Sequence, residues 1–163
     1  MLPPPPGWPR ISSAVFYKQP AAAIDWLCTA FGFEVRLKVE GEGGTIEHSE
    51  LVFEGGLIMV GAEGHNVRPG DEHMVSPRST GGGNTQLLGI FVDDVDAHCA
   101  RARAAGARIF REPETNDYGA EYAMDRSYGA IDPEGHLWFF MQRIRNPPQR
   151  GGRNEVFDTS MSS

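Results

Sequence analysis

The stretch Asp125-Arg-Ser-Tyr-Gly-Ala-Ile-Asp-Pro-Glu-Gly-His-Leu-Trp-Phe-Phe-Met-Gln142 decides the fold. Its centre, Asp132-Pro133-Glu134-Gly135, has the residue order of a type I β-turn, with Asp first, the fixed φ of Pro second and Gly fourth. The turn predicts a hairpin. Val, Ile, Tyr, Phe and Trp dominate its arms, as residues that fit a pleated, half-buried surface. A strand carrying Trp138-Phe-Phe-Met141 must be covered on both faces, one by a helix and the other by a cavity or a partner.

Working outward, Gln86 to Val92 reads as a strand, and Asp93 and Asp94 offer an N-cap to a helix with Val95, His98, Cys99 and Ala102 on one face. That helix stops at Gly106. Arg108 to Arg111 follows as a strand, then a Pro/Asn/Asp/Gly loop from Pro113 to Gly119 leads to a strand expected to carry Tyr122, Arg126 and Tyr128 on one face. The same plan stands earlier in the chain. Ile11 to Tyr17 is a strand, Pro20 opens a helix where a missing N–H costs nothing, and Ile24, Leu27, Cys28 and Phe31 line its apolar face up to Gly32. Phe33 to Glu40 is a strand, Gly41-Glu-Gly-Gly44 a turn, and Ile46 to Phe53 with Leu57 to Gly61 a hairpin. Gly32 and Gly106 are 74 residues apart, which marks an internal repeat. One half of about 60 residues buries its apolar face poorly, so two curved sheets should share a core and form a cleft.

The chain therefore divides into a Pro-rich arm (1–9), a first strand-helix-strand-strand-strand module (10–61), a turn-rich linker (62–85), a second such module (86–146) and a polar tail (147–163) expected to be flexible. Ser79-Thr-Gly-Gly-Gly-Asn84 in the linker lacks the G-K-[ST] ending of a phosphate loop. A chain of 163 residues, 40% hydrophobic and 23% charged, is ordinary for a globular domain. Its net charge of −7, without a basic stripe before the tail, argues against a nucleic-acid partner. Apolar runs are strand-sized and no signal-like segment follows Met1, so neither a membrane nor export is expected and the compartment is read as cytoplasmic. Cys28 and Cys99 read as buried free thiols.

Three segments together resemble the vicinal oxygen chelate superfamily, the glyoxalase, bleomycin-resistance and extradiol-dioxygenase fold. They are Tyr17-Lys-Gln-Pro-Ala-Ala-Ala-Ile-Asp-Trp-Leu-Cys-Thr-Ala-Phe-Gly-Phe33, Val92-Asp-Asp-Val-Asp96 and Tyr128-Gly-Ala-Ile-Asp-Pro-Glu-Gly-His-Leu-Trp138. The resemblance is nearest to bleomycin-resistance-like proteins of uncharacterised activity. It implies an α+β fold of two βαβββ modules with curved mixed sheets around a cleft, a homodimer, and a cavity inside each curved sheet. Metal-using members place ligands at positions that fall here on Ser12, Leu87, Phe139 and Ile58 or Met59. Leucine and phenylalanine offer no lone pair to a divalent cation, so no metal and no cofactor is expected.

The candidate ligand-binding residues are Phe16, His48, Glu50, Met59, Leu87, Phe91, Arg126, Tyr128 and Phe139. Alternation places Ala14 and Phe16, Gly89 and Phe91, and Leu137, Phe139 and Met141 on an apolar wall. A wall of aromatic residues and Met suits a small molecule. His48 and Glu50 share one strand face, where they would orient a ligand or act as an acid/base pair. Arg126 and Tyr128 would fix an anionic or planar ligand. His65, His73, His98 and His136 read as surface or supporting residues. No Ser/His/Asp order, G-x-S-x-G or Cys/His nucleophile pair is present.

Three functions follow as expectations. The first is binding of a small, largely apolar molecule in a metal-free cavity. The second is a metal-dependent lyase, isomerase or dioxygenase with ligands relocated to His48, Glu50 and Glu121. The third is an interaction module using the arm and tail.

Overall fold

The computed structural model describes Pro3, residues 5–64 and residues 68–148. The elements run β1 (Ser13–Tyr17), α1 (Pro20–Phe31), β2 (Glu34–Glu40), β3 (Ile46–Phe53), β4 (Gly56–Ala62), β5 (Leu88–Phe91), α2 (Val95–Ala104), β6 (Arg108–Asp117), β7 (Met124–Ile131) and β8 (Leu137–Arg145). Two four-stranded mixed sheets result, ordered β1-β4-β3-β2 and β5-β8-β7-β6. In each, the first strand pairs parallel to the last and the remaining pairs are antiparallel. This is an α+β fold of two βαβββ modules.

Local chemistry sets the helix ends. Pro20 opens α1, and Gly32 closes it in the left-handed region at φ 83°. Asp94 caps α2 by accepting from the Ala97 N–H at 2.9 Å. α1 has no side-chain cap of its own. Its entry is held from the other module instead, because the Glu134 carboxylate accepts the N–H groups of Lys18 (2.8 Å) and Gln19 (2.9 Å).

Both helices lie within one core that both sheets share. Ile24, Leu27 and Phe31 of α1 join Trp138 and Phe140 of β8, with the Phe31 and Phe140 ring centroids 4.7 Å apart. Consequently each sheet turns one face to the core and the other outward. The shared core lies on the helix side of both sheets, and the apolar wall is divided between their other two faces.

The hairpin at Asp132 joins the modules. Asp132 Oδ1 accepts from the N–H groups of Glu134, Gly135 and His136, and Oδ2 accepts from the Tyr17 hydroxyl and the Trp138 indole. His136 donates through Nε2 to the Phe16 carbonyl at 2.8 Å. The linker is pinned to the same turn. Ser76 donates to Glu134 at 2.6 Å, and Asn84 bridges the Gly135 carbonyl and the Leu137 N–H.

Several boundaries differ from expectation. β1 begins at Ser13, which pairs with Ile58, and Ile11 lies ahead of the strand and is exposed. Gln86 precedes β5 and uses its side chain, donating through Nε2 to the Ala14 carbonyl at 3.1 Å. β6 runs through Pro113 to Asp117 where a loop was expected. It is an edge strand, and its register shifts between Arg111 and Glu114, so the missing N–H of Pro113 breaks no ladder bond. Tyr122 lies in the turn before β7 and not on that strand. Cys28 and Cys99 are unpaired. His65 and the tail beyond residue 148 lie outside the described residues.

Candidate functional site on the outer sheet faces

Alternation on β3 buries Leu51 in the core and turns His48 and Glu50 outward. The pairing Ala14↔Met59↔Glu50 crosses the sheet, and Phe16 sits opposite Gly61. Phe16, His48, Glu50 and Met59 therefore share the outer face of the first sheet. Gly61 has no side chain to obstruct the Phe16 ring, which lies about 3.1 Å from where a Cβ would stand.

On this open face Glu50 is only 5% exposed. His48 Nε2 lies 3.0 Å from one carboxylate oxygen, and the Arg36 guanidinium donates to the other. Arg36 also donates to the Pro6 carbonyl at 3.1 Å, tying the N-terminal arm to the same cluster. The hydrogen bond from His48, followed by that from Arg36, holds Glu50 below its ordinary value of 4.5, against the opposing effect of burial. Glu50 is thus an ion at neutral pH.

β3 and β4 pair only as far as Glu50↔Met59. Beyond that row the Ser49 hydroxyl bridges the gap, donating to the Val60 carbonyl at 2.6 Å and accepting from the Val60 N–H at 3.2 Å. Where the strands part, a cavity of about 380 Å³ opens, lined by Phe16, Ile46, His48, Gly61, Ala62 and Met74, with Glu47, Arg68 and Asp71 as its charged residues. A hollow of about 620 Å³ lies at the seam between modules and includes Phe33, Phe53, Leu57, Leu88 and Phe91.

The second sheet repeats the arrangement with aromatic rings. Gly89 pairs with Phe139, which pairs with Gly129, and Phe91 pairs with Met141. Phe110 lies across Gly129, and its ring centroid is 5.6 Å from that of Phe139. Arg111 stands 5.0 Å from the Phe139 ring and Arg143 5.3 Å from the Phe91 ring, within cation–π range. Leu87 (51%), Phe91 (52%) and Phe110 (43%) are exposed.

Arg126 and Tyr128 are placed on the opposite side. Arg126 pairs with Asp96 at 2.7 Å on the helix side. Tyr128 is fully buried, and its hydroxyl lies 2.7 Å from His98 Nδ1. Neither lines the two cavities described above; alternation grouped them together, and the structure places both on the helix side of the second sheet.

The positions that would carry a metal do not suit one. Pairing Ala14↔Met59 against Gly89↔Phe139 makes Met59 the first-module equivalent of Phe139, and both are apolar. Among the described residues no three His, Cys, Asp or Glu side chains converge as a metal requires. His48 and Glu50 meet, but Glu121 does not join them.

Sequence reasoning missed Arg36 and Phe110. A register shift between Val35 and Leu37 hides Arg36 from simple alternation. Phe110 was read on a strand whose outward side was not assigned.

Comparison with known protein families matches residues 10–140 to the Glyoxalase/Bleomycin resistance protein/Dioxygenase superfamily. The chain belongs to this superfamily. An uncharacterised protein of Mycobacterium bovis is 29% identical over 137 residues, covering 84% of this chain and 85% of that protein. Among solved structures, TioX from Micromonospora sp. ML1 is 33% identical, covers 84% of this chain and 100% of its own, and superposes with a TM-score of 0.64. TnmS3, an antibiotic-binding protein from Streptomyces sp. CB03234, is similar in fold at 20% identity, 81% and 93% coverage and a TM-score of 0.55. No helix among the described residues is long and apolar enough to cross a membrane.

Proposed function

We propose that this glyoxalase/bleomycin-resistance-like protein binds a small, largely apolar molecule on its outer sheet faces, without a metal, and works as a cytoplasmic homodimer. One observation carries the reading. Aromatic and aliphatic side chains stand on both outer faces, beside the His48–Glu50–Arg36 cluster on the first, and Phe91, Phe110, Leu87, Leu37 and Val39 are exposed. Apolar surface of this kind marks an interaction site. A second copy of the chain, related by a two-fold axis, would cover these faces and turn each into a walled cavity. TnmS3 supports the ligand class, since the same fold there serves an antibiotic-binding protein. The unpaired Cys28 and Cys99 fit a reducing compartment.

Sedimentation equilibrium together with dialysis against naphthalene tests the reading. It predicts a dimer and saturable uptake that weakens in Phe16→Ala and Phe139→Ala. A monomer with no saturable uptake would contradict it.

A further inference from the structure

We propose that the cavity beside Phe16 selects flat apolar molecules bearing one hydroxyl donor, a phenol or enol, and that the ring nitrogen His48 Nδ1 accepts that hydroxyl's hydrogen bond. This rests on the apolar-ligand reading and narrows it to a chemical class.

The argument begins at Glu50, nearly buried between two donors. An ionised carboxylate accepts hydrogen bonds and donates none. Glu50 Oε1, 3.0 Å from His48 Nε2, therefore requires the proton on Nε2. In the neutral imidazole the other nitrogen, Nδ1, then carries a bare lone pair. Arg36 occupies Oε2 and prevents the carboxylate from turning away, so this tautomer is fixed. Glu50 acts through His48 and is a positioning residue.

His48 borders the cavity of about 380 Å³, which suits one or two fused rings. Phe16 and Met74 supply apolar walls, and the Phe16 ring lying across Gly61 offers a flat surface. A carboxylate ligand brings no proton to a bare nitrogen, whereas an arene hydroxyl supplies one and leaves its ring to the walls. Among the described residues, Arg36 and Glu50 are the charged groups bonded in the His48 cluster, and Glu47, Arg68 and Asp71 are those lining the same cavity.

The test is a fluorescence titration of the full chain with 2-naphthol and with 2-methoxynaphthalene, which share a skeleton and differ in the hydroxyl proton. About tenfold tighter binding of 2-naphthol is expected, the worth of one hydrogen bond. In Glu50→Gln, Arg36 keeps the amide oxygen, so the NH₂ group faces His48 Nε2 and forces the proton onto Nδ1. That variant should abolish or invert the preference while retaining the ether. His48→Phe, a change at a half-exposed position, should also bring the ratio to about one. Equal binding of both probes by the wild type, or a preference unchanged in either variant, would overturn the inference and leave the apolar-ligand reading standing. Binding of neither probe would overturn both.

Discussion

The Tyr17 hydroxyl donates to Asp132 Oδ2 at 2.6 Å, joining β1 of the first module to the turn between β7 and β8 of the second. Both groups are buried, and burial, then the Asp132 charge, pushes the Tyr17 phenol well above its usual range. The Asp132-Pro-Glu-Gly turn thus does two tasks: it closes a hairpin and it fastens two modules. Tyr17→Phe keeps the ring and removes the donor. It should cost about 1.5–3 kcal/mol, the value of a buried hydrogen bond to a charged group, as read from urea unfolding.

Glu134 gives a second test of the same junction. Burial would raise its carboxyl, but the Ser76 hydroxyl and the N–H groups of Lys18 and Gln19 outweigh it and hold the group below its ordinary value. Glu134→Gln should lower stability by about 1–3 kcal/mol, because one of three donors then faces an NH₂ group. Ser76→Ala should cost less, and the two losses should be non-additive in a double-mutant cycle because the side chains touch.

His98 predicts a pH dependence. Nε2 donates to the Phe31 carbonyl at 2.9 Å, so Nδ1 accepts from Tyr128 at 2.7 Å and the ring is neutral. Burial, only partly offset by Phe31, lowers this histidine below its ordinary 6.5. The unfolded chain therefore binds the proton first as pH falls. Stability from His98 is present above pH 6.5 and is lost as pH drops through the folded value. His98→Gln should flatten the slope of unfolding free energy in that window by about one proton. An unchanged slope would place the titration elsewhere.

Much of the fold was legible because its signals are local. Pro20 and Gly32 act through their own backbone, Asp94 and Asp132 act through carboxylates that accept N–H groups two to four residues on, and the repeat of helix and strand lengths exposed the two modules. What was not legible depends on tertiary placement. Pro113 looks like a strand breaker until β6 is known to be an edge strand. Alternation grouped Arg126 with Tyr128 and His48 with Glu50, yet only the position of the helices says which pair faces outward. Arg36 was hidden by a register shift, and nothing near Glu134 in sequence announces the helix entry 116 residues earlier that it caps.

Gly129 offers a test of the second outer face. A Cβ there would stand about 2.5 Å from the Phe110 ring, so Gly129→Ala must push that ring off the sheet. The expected outcome is weaker uptake of an apolar probe with a small loss of stability, about 1 kcal/mol for a displaced aromatic contact. Unaltered uptake would remove Phe110 and Phe139 from the binding surface.

The most direct test is thermal unfolding of chelator-treated protein, with and without Zn, Ni, Mn and Fe(II), and with and without an arene such as 2-naphthol. Whatever binds only the folded state raises the midpoint by mass action, by about 2.7 kcal/mol at a hundredfold excess over Kd. A rise of several degrees with the arene, the same whether or not metal is present, is the predicted result. A stoichiometric metal that raises the midpoint, with no response to the arene, would contradict a metal-free binding protein.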